Sequence, residues 1–485
     1  MATSQLCVTV AASTMAELRR RRDQVPGDTL VELRLDAVDR PDVAGALEGR
    51  RRPVLITCRP RWEGGGFDGS EEERLALLEQ AVAQGAEYVD IEWAALTPTF
   101  GGGGGRNRLV VSMHDFSGVP TDLDARVDAM SRSGAGIVKI AVMAERLRDC
   151  LPLMGLAARR QRPTIALAMG EAGVPTRVLA ARFGSCWTYA GDEEGVAPGQ
   201  LTVRRMLGEF GFDRIGPETL AYGVLGKPVS HSVSPAMHNA AFRALGIDAA
   251  YVPLAAESFE DFTAFAEAIG LRGASVTAPF KGEAFDWAGA VDEVGQDSRA
   301  VNTLRRTGET WEGRNTDLEG FMSPLVARAT LRGARVTLLG AGGASRAIAV
   351  GLASAGARVT VAARRTAQAE ALARLTGVAA GAWPPPSGSW DVLVNATPVG
   401  TYPDTAHSPV AAESLDGRLV YDLVYNPPRT RLLADADARG CDTLGGLDML
   451  VAQAQAQSAW WTGTRPPDQT LREAALARLS EMNTV

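Results

Sequence analysis

Eight short apolar or β-branched runs fall within the first 190 residues: Cys7 to Ala11, Leu30 to Leu35, Val54 to Thr57, Tyr88 to Trp93, Leu109 to Met113, Ile137 to Val142, Thr164 to Met169 and Cys186 to Tyr189. Most are separated by a stretch of helical character. Glu71 to Gln84 has apolar positions three and four apart and an acidic first turn, as a crossover helix should. Eight alternations of strand and helix predict a (β/α)8 barrel kept small by short connections. The Gly101 to Gly105 run is then a flexible spacer before the fifth strand.

At 485 residues the chain is too long for one core. Gly and Pro break the pattern near Phe212 to Thr219, and from Tyr222 a second α/β pattern begins. Within it, Ala334 to Leu339 runs straight into Gly340-Ala-Gly-Gly-Ala-Ser-Arg-Ala and an apolar helix ending near Gly356. The next strand, Arg358 to Ala362, closes a βαβ unit, which is a dinucleotide-binding half-fold. The expected organisation is therefore α/β throughout. A barrel occupies residues 1–212, a lobe follows over 219–325 and is completed by 446–485, and a Rossmann domain spans 330–445.

With 46% hydrophobic and 22% charged residues the chain reads as soluble and globular. It has no run of 18 apolar residues, and Met1 to Val10 lacks a signal-peptide layout, so a cytoplasmic protein with no membrane partner is expected. The net charge of -7 argues against a nucleic-acid partner. Cys7, Cys58, Cys150, Cys186 and Cys441 show no CxxC spacing, so neither a metal site nor a disulfide framework is expected. Of the 50 basic residues only three are lysine: Lys139, Lys227 and Lys281. Arginine supplies surface charge equally well but cannot become an amine nucleophile or proton shuttle, so the surviving lysines are functional candidates.

In Val31 to Asp36, strand alternation places Glu32, Arg34 and Asp36 on one face. Inside a barrel such charges are costly unless they pair with each other or with a ligand. Arg59 follows closely on the third run, His114 follows the fifth, and Lys139 sits within an otherwise apolar sixth. A barrel's catalytic face collects residues from strand ends, so these groups can converge. A lysine facing an enclosed apolar site loses its proton more readily and can attack a ketone, which makes Lys139 a Schiff-base candidate. His114 can move protons, and arginine can hold a carboxylate.

In the second half, Gly340, Gly342 and Gly343 follow a strand and open a helix, although Ser345 stands where the third glycine of the usual pattern would be. Where NAD enzymes carry an acidic residue after the second strand, this chain has Arg364 and Arg365, which suit a 2′-phosphate, so NADP is the expected cofactor. Lys281 and Asp317, brought together, can form a coupled acid/base pair.

Residues 5 to 210 resemble type I 3-dehydroquinate dehydratases in VELRLD, ITCRPRWEGG, VSMHDF, IVKIAV, MGEAGVPTR and APGQ. The resemblance implies an imine on Lys139, with His114 as general acid/base assisted by Glu63. It also implies a substrate held by Glu32, Arg34, Arg59, Arg177 and Gln200, and no metal. Val196 replaces the serine that usually precedes APGQ, which points to weaker substrate binding. Residues 221 to 485 resemble shikimate dehydrogenases in GKPVSHSVSPAMHN, VTAPFK, AVNTL, GRNTD, GAGGASRA, NATPVG, YDLVYNP and GGLDMLVAQA. This second resemblance implies catalysis by Lys281 and Asp317 and substrate contacts from Ser232, Ser234, Thr277, Asn302 and Gln453. It implies a cofactor site formed by Gly340, Ala341, Gly342, Gly343, Ala344, Arg364, Arg365, Asn395, Thr397, Tyr425 and Gly446. Thr401 stands where the family often has methionine, and Lys227 is given no chemical role. Together the two halves imply dehydration of 3-dehydroquinate, then NADPH reduction of 3-dehydroshikimate to shikimate. The alternatives are quinate dehydrogenase activity in the second half and a non-catalytic NADP-sensing regulator.

Overall fold

The computed structural model describes residues 4–102, 105–159, 162–193 and 197–483. Val196 and the middle of the Gly101–Gly105 run lie outside them. Eight parallel strands run as expected: β1 (Gln5–Ala11), β2 (Leu30–Arg34), β3 (Val54–Thr57), β4 (Tyr88–Glu92), β5 (Leu109–Asp115), β6 (Ile137–Met143), β7 (Thr164–Met169) and β8 (Trp187–Gly191). Their order is β7-β6-β5-β4-β3-β2-β1-β8. The seam between β7 and β8 is joined by the Cys186 N–H on the Thr164 carbonyl (2.9 Å) and by Ser185, whose hydroxyl bridges the Ala166 backbone.

The period of two along each strand builds the barrel interior in layers. Cys7, Leu30, Leu55, Val110, Ile137, Ile165 and Trp187 form one apolar layer. Two residues further along their strands stand Thr9, Glu32, Thr57, Ser112, Lys139, Leu167 and Tyr189, all buried. An apolar floor thus carries a mostly polar layer, and burial of these polar groups obliges them to pair. Asp36, expected on the strand face with Glu32, lies instead in a 3-10 turn (Leu35–Ala37) because β2 ends at Arg34. The crossover helix Glu71–Ala83 begins on a capping box between Ser70 and Glu73.

The chain divides into two compact units, Met1–Ser230 with Asp248–Leu271, and His231–Ile247 with Arg272–Val485. Beyond the barrel, the first unit holds β9 (Leu220–Gly226) paired in parallel with β10 (Ala249–Ala255). In the second unit, β11 (Gly273–Val276) pairs antiparallel with β13 (Thr303–Thr307). There β12 (Ala290–Val291) lies parallel to β14 (Thr310–Arg314), which is antiparallel to β13.

The remaining strands are β15 (Arg335–Leu339), β16 (Arg358–Ala362), β17 (Ala379–Ala380), β18 (Val392–Asn395), β19 (Leu419–Asp422) and β20 (Asp442–Leu444). Their parallel sheet runs β17-β16-β15-β18-β19-β20, with the helices Gly343–Ser354 and Thr366–Thr376 following β15 and β16. The order reverses between β15 and β18, which opens a crevice at their carboxyl ends. Helix Gly446–Thr462 packs on Asp317–Val326, where Gly320 leaves room for Gln453. Among the described residues no helix is long and apolar enough to cross a membrane.

Candidate active sites

At the carboxyl ends of the barrel strands, Glu32, Arg34, Arg59, Glu63, His114, Lys139, Arg177 and Gln200 all line one cavity of about 170 Å³. That volume suits a small molecule. All eight residues proposed for the barrel site therefore converge. The register sets Ser112 beside both Lys139 and Glu92.

Lys139 Nζ donates to Asp90 Oδ2 (3.1 Å) and stands 4.3 Å over the Tyr189 ring. A carboxylate thus faces the ammonium, in place of the apolar enclosure expected from the sequence. Arg59 is enclosed by acids: Nη1 donates to Glu92 (2.6 Å) and Ser112 Oγ (2.8 Å), and Nη2 to Asp90 Oδ1 (2.7 Å). Burial alone would raise the Asp90 pKa, but Arg59 and Lys139 overcome it and hold this carboxyl well below its usual range. Asp90 and Glu92 escaped the sequence reading, although alternation in Tyr88–Glu92 marks them by the rule that marks Glu32 and Arg34.

His114 and Glu63 form the proton-handling part of the site. One Glu63 oxygen accepts from the His114 backbone N–H (2.6 Å) and lies 3.3 Å from His114 Nδ1. Burial pushes the Glu63 pKa up to about 7, against the pull of Arg59 and the His114 N–H. Burial, with Arg59 and Lys139 adding to it, holds His114 well below its ordinary value, so the imidazole is neutral and can accept a proton.

Arg177 differs from its neighbours. It is 2% exposed, its Nε has no hydrogen-bond partner among the described residues, and its Nη2 makes a long bond to the Pro198 carbonyl (3.4 Å). Burial lowers its pKa to about 10. A buried guanidinium that lines a small cavity and has no acid partner among the described residues suits an anion. Glu32 accepts from Thr9 (2.7 Å) and Thr57 (2.8 Å), Arg34 is held by Asp36 (2.7 Å), and Gln200 reaches Thr9 (3.4 Å).

In the second unit Lys281, which opens helix Lys281–Trp287, donates to Asp317 Oδ2 (2.5 Å). The other Asp317 oxygen accepts from Asn302 Nδ2 (2.8 Å) and from Gln453 Nε2. Three sequence-named residues thus meet at the carboxylate of a fourth. Lys281 remains 34% exposed, open to a substrate. Ser232 and Ser234 stand at the start of helix Ser234–Ala244, where the Ser234 N–H donates to Ser232 Oγ (3.2 Å). Thr277 is exposed just past β11.

The crevice beside β15 fits a dinucleotide. Gly340 has φ +103°, and a Cβ there would lie 3.0 Å from Thr397. Gly342, Gly343 and Ala344 begin helix Gly343–Ser354, and the space at a Gly342 Cβ is open, so a pyrophosphate can approach the helix N-terminus beside Ala341. Arg364 and Arg365 are exposed just past β16. Asn395 is buried and bonded to Asp422 (2.9 Å) and Thr397 (2.7 Å), so it shapes the loop bordering the crevice. Gly446 serves close packing, since its Cβ would lie 2.3 Å from the Leu423 carbonyl, and Tyr425 is half-buried nearby in sequence. Lys227 is exposed and paired with Glu257.

Fold and sites together define a two-centre enzyme: a (β/α)8 barrel built around a buried lysine, and a dinucleotide-binding dehydrogenase built around a lysine–aspartate pair. A protein of Arabidopsis thaliana described as bifunctional 3-dehydroquinate dehydratase/shikimate dehydrogenase, chloroplastic, is 34% identical over 503 residues, 96% of this chain and 83% of that one. The chain belongs to this family of bifunctional 3-dehydroquinate dehydratase/shikimate dehydrogenases. Residues 6–215 match the family of type I 3-dehydroquinase. Residues 224–304 match the shikimate dehydrogenase substrate binding domain, and 446–476 the shikimate 5′-dehydrogenase C-terminal domain. The shikimate dehydrogenase (NADP(+)) of Methanopyrus kandleri is 39% identical over 55% of this chain and 98% of its own length. A crystal structure of a shikimate dehydrogenase in complex with NADP+ superposes with a TM-score of 0.51 at 33% identity, over 54% of this chain and 96% of that one.

Proposed function

We propose that the barrel dehydrates 3-dehydroquinate to 3-dehydroshikimate and that the second half reduces this ketone to shikimate with NADPH. The observation that carries the assignment is Arg177, a buried cation with no acid partner among the described residues, lining the same cavity as a buried lysine; a carboxylate-bearing ketone satisfies both. Lys139 adds to the substrate ketone, and loss of water leaves an iminium. Neutral His114, steadied by Glu63, takes the proton from the adjacent carbon. It then passes that proton to the departing hydroxyl, which leaves as water, and hydrolysis of the imine frees Lys139.

In the second site Lys281 gives a proton to the ketone oxygen as it becomes an alkoxide, while Asp317 holds the ammonium and Asn302 and Gln453 hold Asp317. NADPH supplies the hydride when bound in the crevice between Gly340 and the Asn395–Gly400 loop. Arg364 and Arg365 would receive its 2′-phosphate. Ser232, Ser234 and Thr277 would contact substrate hydroxyls and carboxylate. Barrel, substrate lobe and Rossmann domain correspond to residues 1–212, 219–325 with 446–485, and 330–445. A reducing, cytoplasmic setting is part of the proposal, supported by five cysteines that are all free.

Borohydride reduction of the protein with 3-dehydroquinate tests the barrel: a covalent adduct on Lys139 is expected, and no adduct there would sink the imine. Lys281→Ala should abolish shikimate oxidation while leaving adduct formation intact.

A further inference from the structure

Helix Ser234–Ala244 carries a buried histidine, His238, that none of the steps above employs. Its ring lies against Trp461 and Phe242. Its Nδ1 meets Ser458 Oγ and its Nε2 meets Gln457 Oε1, each at 3.1 Å. From there Gln457 Nε2 donates to Thr303 Oγ1 (3.1 Å), Thr303 Oγ1 to Asn302 Oδ1 (2.8 Å), and Asn302 Nδ2 to Asp317 Oδ1 (2.8 Å).

The direction of this chain is fixed by a group that can only donate. The Thr316 backbone N–H reaches Asn302 Oδ1 (2.8 Å), so the Asn302 oxygen points there and its amino group faces Asp317. Thr316 Oγ1, which also stands 3.2 Å from Thr303 Oγ1, gives its hydrogen to Asn302 Oδ1 (3.1 Å), and with Thr303 donating to the same oxygen the Thr303 lone pair receives from Gln457 Nε2. Gln457 Oε1 is left facing His238 and needs an N–H. A neutral imidazole protonated on Nε2 provides it, with Nδ1 accepting from Ser458. Burial lowers the His238 pKa to about 4, which keeps the ring neutral at working pH. A packing role alone would not require every donor to point toward the same carboxylate, and hydrogen bonds in such a chain polarise one another.

We propose that His238, acting through Gln457, Thr303 and Asn302, is a positioning residue for the Lys281–Asp317 pair. With the Asn302 amide oriented by the Thr316 N–H, His238 satisfies the last acceptor, Gln457 Oε1, and so holds Gln457 and Thr303 in the arrangement in which Asp317 Oδ1 keeps the Asn302 amide and Oδ2 is left to Lys281. Around Asp317, Lys281 is the charged neighbour, Asn302 and Gln453 are neutral donors, and the Asp317 N–H is bound by Asn315 Oδ1 (3.0 Å). The role rests on the dehydrogenase assignment above.

The test is NADP-dependent shikimate oxidation by the full chain, measured against pH, for the wild type and for His238→Leu, His238→Gln and Thr303→Val. Leucine removes the donor, glutamine can place an amide N–H near the imidazole Nε2 position, and valine cuts the chain at its middle. His238→Leu and Thr303→Val should each lower kcat about tenfold, the order expected for weakening one hydrogen bond to a charged group. Both should move the acidic limb of the profile up by about half a pH unit to one, because a carboxylate that loses a donor is harder to ionise. KM for NADP should hold, and His238→Gln should recover most of the loss. A wild-type profile in both chain-breaking variants overturns the role, as does equal loss in His238→Leu and His238→Gln with an unmoved profile. If His238→Leu does not fold, Thr303→Val against His238→Gln decides by the same criteria. A wild type that cannot oxidise shikimate overturns the dehydrogenase assignment and the role together, whereas an active wild type with unmoved variants overturns the role alone.

Discussion

Replacing Arg177 by methionine should make the free protein more stable and a worse dehydratase. Burial takes the Arg177 pKa down from the ordinary arginine range to about 10, and at about 1.4 kcal/mol per pH unit this is an electrostatic cost of about 3 kcal/mol. The sign follows from linkage: a cation whose folded pKa lies below its unfolded value binds its proton less well when folded. The cost is therefore present in full below pH 10 and is relieved only as pH rises above about 10 toward the ordinary arginine value. Methionine keeps much of the stem and removes the charge. Allowing for lost packing, a gain of about 1–2 kcal/mol remains, or a rise of about 2–8 °C in the melting temperature of a unit this size. Losing a buried charge-assisted contact to a substrate carboxylate costs about 3 kcal/mol, so dehydratase kcat/KM should fall roughly hundredfold. Arg59→Met is the contrast. Asp90 and Glu92 would be left buried without their partner, and a loss of about 3–5 kcal/mol is expected. Melting of the full chain by near-ultraviolet circular dichroism, followed by steady-state dehydratase assays, reads both effects. Destabilisation by Arg177→Met equal to that of Arg59→Met, or an unchanged kcat/KM, would refute the assignment of Arg177 as the anion receptor.

Three further outcomes are expected. Because Glu63 titrates near 7 and must be ionised to steady His114, dehydratase kcat should fall as pH drops below about 7, and Glu63→Gln should abolish this limb; a limb that survives places the titration elsewhere. Removing both Arg364 and Arg365 to alanine should raise KM for NADP by about 10- to 100-fold, the scale of one or two charge-assisted phosphate contacts, without raising KM for NAD. Gly446→Ala should impair the dehydrogenase and leave dehydratase activity intact, because a Cβ 2.3 Å from the Leu423 carbonyl must displace the helix that carries Gln453.

Much of the barrel was legible because strand alternation survives in sequence: the third run, Val54 to Thr57, and the seventh, Thr164 to Met169, appear with the bounds read from the sequence. The scarcity of lysine pointed to Lys139 and Lys281, and both stand in sites. What escaped was pairing across strands. Asp90 and Glu92 carry the countercharge to Arg59 and Lys139, and only the register shows which carboxylate meets which cation. The His238 chain escaped for the same reason, since Gln457 and Thr303 lie 154 positions apart. Residue type marked single groups, and the direction of a hydrogen bond became visible only once a backbone N–H fixed one amide.

The most direct test of two successive reactions in one chain is incubation of the purified protein with 3-dehydroquinate and NADPH, following enone absorbance and NADPH together. The account predicts that the enone appears first and is then consumed in step with NADPH, with shikimate as the product. NADPH loss only when 3-dehydroshikimate is supplied, or enone accumulation without NADPH loss, would contradict it.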